Sequence, residues 1–327
     1  MPRFLSTRAL LPLILGALAC LVGCAPEPAV ESPPEAPTER DLFKIPSAPP
    51  FPILLELPPE AAQPLKTFLE QRFPDNPERR LVWEDSSASS PDWEIAFVRP
   101  WSLADLEVRG MDLRTWLDEI YPLHPSDFFL PVSSVERDGN LRSLPISLAP
   151  DFLYARSLPE GKEALDSGAL AAYFANGGRI ALPRGPAGSW YRARLRIPES
   201  LIDWFDPEDS PTPFLSGQAG MAVGDRSWPA RHRIPSSQMR SLAEVLPGVP
   251  DWGCRMVVSA QCRLPELARD ILRVLLTEGQ ESLTGFGGGS FPVRRSVYQS
   301  PRVQGMFLLA PRAALDATLS ALIDPRE

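Results

Sequence analysis

Residues that bind metals are scarce in this chain. It has only two histidines, His124 and His232, and four cysteines among its 327 residues. Structural zinc sites use about four cysteine or histidine ligands, and the two histidines lie far apart in the sequence. Only Cys254 and Cys262 remain beyond the N-terminal region. We therefore predict no metal and no other cofactor.

The spacing of these two cysteines bears on whether they form a disulfide. The segment Met256-Val257-Val258 between them has the composition of a β-strand. If it is extended, the two Cα atoms lie further apart than the roughly 7 Å that a disulfide allows. An exported protein can form disulfides, so pairing stays open, but we favour two separate thiols that fill space in the core.

Sequence motifs of common enzyme classes are also missing. The chain has no Gly-x-Ser-x-Gly, no His-Glu-x-x-His and no Walker loop. Aspartate and glutamate together number 41, so a pair of carboxylates arranged as in a glycosidase stays open as an alternative. We predict a protein that binds rather than an enzyme.

Positive charge is too sparse for a nucleic-acid partner. The formal net charge is −8 and the isoelectric point is about 5.1, with no dominant basic patch. The largest basic cluster is the series of arginines between Arg179 and Arg196, which we interpret as a solvated surface, with an acidic or phosphorylated ligand as the alternative. Proteins that bind nucleic acids depend on clustered lysine and arginine, so we predict no nucleic-acid binding.

The N-terminus has the pattern of an export signal. Arg3 and Arg8 precede an apolar run over residues 9–22, which is shorter than the roughly 20 residues of a membrane-spanning helix. The run ends in Leu21-Val22-Gly23-Cys24, which resembles the lipobox of bacterial lipoproteins. The resemblance implies that residues 1–23 are a signal peptide and that Cys24 carries the lipid, palmitate being a typical acyl chain.

Two alternatives accompany this interpretation. Cys20 is a rival acceptor, although Ala17 fits the third position before it poorly, and the segment could be an ordinary secretory peptide. Ala25, rather than aspartate, follows Cys24. In a Gram-negative cell this residue resembles a signal for the outer membrane. We therefore expect an envelope protein that is anchored by lipid and faces the periplasm or the exterior.

A proline-rich tether and a globular body follow. Residues 25–50 contain eight prolines and five acidic residues, a composition that favours an extended chain. We assign residues 24–50 to this tether. The remaining residues suffice for two lobes, and a strand–helix–strand–strand order near their start indicates an α/β fold. We predict lobe 1 from residues 51–146 and 250–300, and lobe 2 from residues 147–249 and 301–327.

Several short motifs occur in a familiar order: Pro91–Phe97, Asp138–Ser147, Phe152–Tyr154, Phe214–Gly224, Glu266–Glu281 and Phe291–Arg294. Together they resemble the extracellular solute-binding proteins of ABC importers, in the sugar-binding branch. The resemblance implies a periplasmic-binding-protein-like α/β fold with a cleft between two lobes. The second lobe is trimmed, because few residues separate Tyr154 from Gly217. The ligands of this family are sugars. The resemblance therefore also implies that the protein captures a carbohydrate and delivers it to an ABC permease.

Candidate ligand-binding residues lie just beyond the predicted strands. A sugar site needs aromatic rings that stack on apolar faces, and charged side chains that bind hydroxyl groups. The candidates are Arg99, Trp101, Asp151, Asp225, Arg226, Trp228 and Phe286.

Most of these candidates have an alternative interpretation. Trp101 could be buried against the nearby helix rather than exposed. The family resemblance places an aromatic residue at Trp228, which could equally be a core tryptophan. Asp151 and Asp225 could instead shape turns. Arg99 and Arg226 could pair with aspartates across the cleft or grip an anionic ligand. The protein as a whole could also be a degenerate relative that kept the fold, lost its ligand and acts as an envelope interaction or structural lipoprotein.

Overall fold

The computed structural model describes residues 49–76, 79–85, 92–120, 123–157, 165–283, 290–307 and 310–326. The range Pro46–Glu327 forms one compact unit. The predicted signal peptide, the predicted lipidation site Cys24 and the ligand candidate Phe286 lie outside the described residues, as does nearly all of the predicted tether.

The described residues contain strands β1 (Pro50–Glu56), β2 (Arg80–Asp85), β3 (Ile95–Val98), β4 (Leu144–Pro145), β5 (Phe152–Ala155), β6 (Ile180–Pro183), β7 (Ile202–Phe205), β8 (Met221–Gly224), β9 (Met239–Arg240), β10 (Val249–Pro250), β11 (Arg255–Val258) and β12 (Leu322–Ile323).

The helices of the same residues are α1 (Pro59–Arg72), α2 (Leu103–Glu107), α3 (Arg114–Glu119), α4 (Val132–Val135), α5 (Ser167–Ala175), α6 (Pro186–Arg194), α7 (Thr212–Leu215), α8 (Trp228–His232), α9 (Pro265–Leu276), α10 (Gly279–Leu283), α11 (Arg295–Tyr298), α12 (Pro301–Gly305) and α13 (Arg312–Ser320). None of these helices is long and apolar enough to cross a membrane.

The first sheet has the strand order β2-β1-β3-β11-β4. Strand β1 is parallel to β2 and β3, whereas β11 is antiparallel to β3 and β4. Strand β1 is an apolar run whose residues from Phe51 to Leu55 are all buried, as expected for a strand covered on both faces. Helix α1 buries Leu65, Phe68 and Leu69, whose spacing places them on one helical face. We call the part of the chain built on this sheet lobe 1.

The second sheet has the order β7-β6-β8-β5-β9. Strand β6 is parallel to β7 and β8, and β5 is antiparallel to β8 and β9. Its residues in β5, β6 and β8 are all buried, so this sheet also has an apolar layer on each face. We call the part built on it lobe 2. The predicted two-lobed α/β fold is therefore confirmed.

Two crossover segments, residues 146–151 and 249–254, run side by side between the sheets. The backbone N–H of Ile146 donates to the carbonyl of Cys254 at 2.9 Å, and Pro150 forms a β-bridge with Asp251. The C-terminal residues join them, because β12 pairs in parallel with β10. The junction therefore has three backbone segments rather than two.

The sequence pattern predicts a final helix over residues 313–323. That prediction was wrong at its C-terminal end, because α13 ends at Ser320 and the next residues form β12. The reason is non-local: Leu322 and Ile323 pair with β10, some 70 residues earlier in the chain. The prediction that Cys254 and Cys262 do not form a disulfide was confirmed. Residues Met256–Val258 lie in β11, and Cys254 and Cys262 are both free thiols.

Candidate functional site

The site begins where strands of both lobes meet the crossover segments. Arg99 directly follows β3 of lobe 1. Trp101 lies in a short 3-10 helix, Pro100–Ser102, that comes next. Asp151 precedes β5 of lobe 2, and Asp225 and Arg226 directly follow β8. In sheets of this kind, ligands commonly bind at strand ends near such junctions.

A chain of hydrogen bonds starts at Asp151. The hydroxyl of Tyr191 donates to Oδ2 of Asp151 at 2.9 Å, and Nε1 of Trp252 donates to that hydroxyl at 2.9 Å. Tyr191, on α6, is fully buried, and Trp252, on the second crossover, is 5% exposed. The three side chains therefore connect lobe 2 to the crossover.

Burial changes the acidity of this carboxyl group. Burial, against the opposing hydrogen bond from Tyr191 and charge of Arg99 and with a smaller rise from the nearby carboxylate of Asp225, raises the pKa of Asp151 to about 7. Burial also raises the pKa of the Tyr191 hydroxyl well above its usual value. Near neutral pH, Asp151 can therefore be protonated and donate a hydrogen bond, while Tyr191 stays neutral.

Aromatic rings continue this cluster toward the surface. The centroids of Trp101 and Trp252 are 5.8 Å apart, and those of Trp190 and Trp252 are 6.0 Å apart. Trp101 is 44% exposed, and the guanidinium of Arg99 lies 5.4 Å from its ring centroid. Trp101 is thus the ring of this group that is most open to a ligand.

Arg99 has few partners for a half-buried cation. Its Nη1 donates to the carbonyl of Trp252 at 3.5 Å, a long hydrogen bond. Burial lowers the pKa of Arg99, although the charges of Cys254, Asp151 and more distant carboxylates counter the effect. The guanidinium therefore stays charged and keeps donor capacity that a ligand could use.

Arg226 lies against two stacked phenylalanines. Its guanidinium is 5.1 Å from the ring centroid of Phe291 and 4.5 Å from that of Phe307, and its Nη2 donates to the carbonyl of Ser290 at 3.0 Å. Burial lowers its pKa to about 10, against the opposing effect of Asp225. Arg226 thus holds a positive charge in an apolar setting.

The carboxylate of Asp225 is occupied by its neighbours. It accepts from the backbone N–H of Ser227 at 2.7 Å and forms an ion pair with Arg231. The backbone carbonyl of Asp225 accepts from the hydroxyl of Tyr154 at 2.7 Å. Asp225 therefore acts as a turn residue ahead of α8, which is one of the two interpretations that its sequence context allowed.

Trp228 is a core residue of lobe 2. It is 4% exposed, and its ring stacks on Tyr154 with centroids 5.1 Å apart and an interplanar angle of 21°. A Cβ atom at Gly224 would lie 2.1 Å from the Trp228 ring, so this glycine permits the packing. The expectation that the ring of Trp228 is open to solvent is therefore not met. The expected contribution of Phe286 lies outside the described residues.

A cavity of about 30 Å³ lies beside this cluster. Its lining includes Leu57, Ser147, Cys254 and Ser290. That volume accommodates about one water molecule, which is too little for a sugar. A larger cavity of about 340 Å³ lies elsewhere in lobe 1, with Arg114, Asp118 and Glu136 in its lining. Sequence reasoning missed Tyr191, Trp252 and this tight packing, because no motif brings those two residues together.

Solved structures share this fold. One is the sugar-binding protein MalE from Xanthomonas citri, with a TM-score of 0.60 and 14% identity over 84% of this chain and 86% of that one. Another is the GacH receptor of Streptomyces glaucescens, solved with acarbose, with a TM-score of 0.56 and 13% identity over 85% and 87%. A third is UgpB from Mycobacterium tuberculosis, solved with glycerophosphocholine, with a TM-score of 0.56 and 15% identity over 85% and 88%.

This chain has the solute-binding protein fold. No protein-family model matches its sequence, and no characterised protein matches it either. At 13–15% identity the solved structures establish the architecture and not the ligand. Their own ligands already differ, since one complex contains acarbose and another contains glycerophosphocholine. The ligand class must therefore be argued from the residues of this chain.

Proposed function

We propose that this protein is a lipid-anchored, extracytoplasmic solute-binding protein that captures a carbohydrate and delivers it to the permease of an ABC importer. The observation that carries the proposal is the half-exposed ring of Trp101 between Arg99 and Trp252, at the junction of the two lobes. Sugars stack on such rings, and charged neighbours bind their hydroxyl groups. The fold similarity to sugar-binding proteins supports the same conclusion.

The surrounding residues suit a binding site better than a catalytic one. Asp151 offers a donor or an acceptor depending on its protonation, while Tyr191 and Trp252 hold it in place. Binding would open the present junction, where the adjacent cavity is about 30 Å³, and the lobes would close again around the solute. Together with a fold typical of binding proteins, this argues against an enzyme.

Export and anchoring rest on the N-terminal sequence. The positive start, the apolar run and the lipobox-like end at Cys24 support lipidation, which would hold the protein at a membrane without a spanning helix. Ala25 supports the outer membrane if the cell is Gram-negative. A Cys24→Ser variant should leave the membrane fraction and lose incorporation of labelled palmitate. Cys20→Ser is the matched control and should stay anchored; release by Cys20→Ser alone would reassign the lipid.

The binding proposal is tested by thermal unfolding of the full chain in a detergent that contains no sugar. Neutral mono- and oligosaccharides, sugar phosphates, sugar acids and polyols form the panel, and a ligand at 100 times its dissociation constant should stabilise the protein by about 2.7 kcal/mol. Trp101→Ala should weaken that binding about tenfold, whereas Trp83→Ala, on the outer strand β2 of lobe 1, should not. Equal binding by wild type and Trp101→Ala would move the site elsewhere.

A second candidate function is an envelope interaction or structural lipoprotein that binds no solute. The observation that favours it is the filled junction, in which Tyr191 and Trp252 are buried. The candidate Trp228 is also buried, in the core of lobe 2. A cooperative unfolding transition that no solute of the panel shifts would support this candidate and count against the first.

A further inference from the structure

We propose that the solute is an acidic carbohydrate, such as a sugar phosphate or a sugar acid, whose oxyanion is held by Arg99 and Arg226. This inference rests on the proposed function and names the ligand class of the same site. It starts from two half-buried arginines, one after β3 in lobe 1 and one after β8 in lobe 2, that border the lobe junction.

Most of the hydrogen-bond donors of Arg226 have no acceptor among the described residues. Among the described residues its one hydrogen bond goes to the carbonyl of Ser290, and its Nε is buried without a hydrogen-bond partner there. Its guanidinium packs on Phe307, so the charge sits next to apolar surface. A buried donor without a partner is costly unless a ligand or water completes it, which favours an acceptor that the described residues do not supply.

Arg99 is likewise a largely buried cation with few hydrogen-bond partners. Within the described part of the chain it forms no ion pair within 4 Å, and its one hydrogen bond to the carbonyl of Trp252 is long. Burial lowers the pKa of both Arg99 and Arg226. The arginines whose pKa is raised, such as Arg179 and Arg263, have carboxylate partners instead.

The two arginines share one neighbourhood. Each arginine borders the cavity of about 30 Å³ through a partner. Ser290, whose carbonyl binds Arg226, lines the cavity, and so does Cys254, two residues after Trp252, whose carbonyl binds Arg99. Asp151 and Asp225 also interact with each other, and with Arg99 and Arg226 respectively. These contacts place both arginines at the border of the lobe junction, where the proposed oxyanion would lie.

Among the described residues, the carboxylates nearby act on these two cations through space but form an ion pair with neither. Asp225 is paired with Arg231, and Asp251 is paired with Arg255. Asp151 accepts a hydrogen bond from Tyr191, and Glu60, at the start of α1, acts on Arg99 only from a distance.

Among the described residues the two guanidinium groups therefore have no carboxylate paired with them directly, in a protein of net charge −8. A planar guanidinium can bind an oxyanion through two parallel hydrogen bonds, whereas the neutral hydroxyls of a sugar leave its charge uncompensated. The exposed ring of Trp101 remains available for the sugar moiety.

The test compares matched ligands on the full chain in sugar-free detergent. The probes are glucose 6-phosphate and glucuronate, each against glucose, with inorganic phosphate alone as a fourth arm, all at equal ionic strength. Arg99→Gln and Arg226→Gln should each raise the dissociation constant of the acidic sugar by about tenfold to a hundredfold. The control Arg273→Gln, on the exposed face of α9 where Arg273 pairs with Asp270, should leave it unchanged.

The outcomes separate the inference from the function. Tight binding of glucose or a neutral oligosaccharide that both arginine variants retain would overturn the inference and keep the solute-binding function. Binding of acidic sugars that neither variant weakens would place the anion elsewhere and also overturn it. If inorganic phosphate binds as tightly as glucose 6-phosphate, the site recognises only the oxyanion. That result would contradict the proposal that the ligand is a carbohydrate. No stabilisation by any probe or sugar would overturn both proposals.

A variant that unfolds non-cooperatively is replaced by its lysine counterpart. Arg99→Lys and Arg226→Lys keep the charge but lose the planar fork, so the dissociation constant should rise less than in the glutamine variants. Added salt should weaken binding of the acidic sugar, because salt screens the attraction. Unchanged binding of that sugar in the lysine variants and at high salt would contradict the proposed role of the arginines.

Discussion

Arg255 and Asp251 form an ion pair at 2.6 Å in which both side chains are fully buried. Asp251 also accepts hydrogen bonds from the backbone N–H groups of Ala149, at 2.8 Å, and Gly253, at 2.9 Å. One carboxylate therefore holds both crossover segments and the start of β11. The Nε and Nη2 atoms of Arg255 are buried without a partner among the described residues, so this arginine depends on Asp251.

Removing the charge of Asp251 should therefore destabilise the junction strongly. Asp251→Asn keeps an oxygen for the backbone donors but leaves Arg255 as a buried, unpaired cation, which costs about 3–5 kcal/mol. Urea unfolding measures the loss in the free energy of unfolding. Asp270→Asn removes an exposed ion pair with Arg273 and should cost less than about 1 kcal/mol. Similar losses in the two variants would show that burial does not set the cost.

Titration of Asp151 should make the free energy of unfolding depend on pH. Its pKa rises from 3.8 to about 7 on folding because of burial, ahead of the effects of Tyr191, Asp225, Arg99 and Trp252. The folded state then binds more protons than the unfolded state between those two values. The contribution of Asp151 is therefore most favourable below about pH 4 and falls as pH rises toward 7, by up to about 1.4 kcal/mol per pH unit.

Asp151→Asn removes this titration while it keeps an acceptor for the Tyr191 hydroxyl. The variant should match wild type near pH 4 and become increasingly more stable than wild type up to pH 7. Urea unfolding at several pH values measures the difference, and other titrating groups cancel in the comparison. A difference that does not change with pH would contradict the raised pKa.

The C-terminal segment should hold the junction through Arg326. Its Nη1 donates to Glu107 of lobe 1 at 2.6 Å and its Nη2 donates to Asp324 at 2.8 Å, while the carbonyl of Pro325 accepts from Trp190 of lobe 2 at 3.1 Å. Arg326→Gln should lower the free energy of unfolding by about 2–3 kcal/mol, because it removes the nearest cation from two poorly exposed carboxylates and leaves Asp324 only the longer pair with Arg137 at 3.7 Å. Hydrogen exchange at β12 should increase.

This loss should depend on pH with a definite sign. Burial raises the pKa of Asp324, but the hydrogen bonds and charge of Arg326 outweigh it and hold the pKa below 3.8. The stabilisation is therefore present above the usual pKa of an aspartate and is lost as pH falls below it. The difference between wild type and Arg326→Gln should shrink in acid. Arg312→Gln, which breaks an exposed pair with Asp316, should show little effect at any pH.

The sequence predicted those parts of the fold that depend on local pattern. The apolar run of β3 and the helical spacing of Leu267, Ile271 and Leu275 in α9 follow from the residues alone. The two-residue strand β12 could not be predicted, because its conformation comes from pairing with β10. Tertiary contacts between distant segments override local preference at such positions.

The candidate site was predictable only in part, for the same reason. Arg99, Trp101 and Asp151 follow or precede predicted strands, and they do gather at the lobe junction. The hydrogen bond between Tyr191 and Trp252 joins residues 61 positions apart, and neither lies in a recognised motif. The orientation of Trp228 depends on the missing side chain at Gly224, a close approach that strand patterning does not reveal.

Alanine variants of Trp228 and Trp101 should have opposite effects: the first should mainly lower stability, and the second should mainly weaken ligand binding. Trp228→Ala removes a ring that is stacked on Tyr154 in the core of lobe 2, so it should cost about 3–5 kcal/mol of unfolding free energy. Trp101→Ala removes a ring that is 44% exposed and should cost about 1 kcal/mol or less. For ligand affinity, measured by titration calorimetry on the folded variants, the order should reverse, because only Trp101 presents an accessible face.

Acrylamide quenching gives a control that needs no ligand. The contribution of Trp101 to fluorescence should be quenched readily and that of Trp228 should not, since solvent reaches only the first ring. The variant that lacks Trp101 should therefore show weaker overall quenching than wild type. If Trp228→Ala instead abolishes ligand binding while its unfolding free energy stays near that of wild type, then the ring must turn outward in solution. The ligand site would in that case extend into lobe 2 along α8.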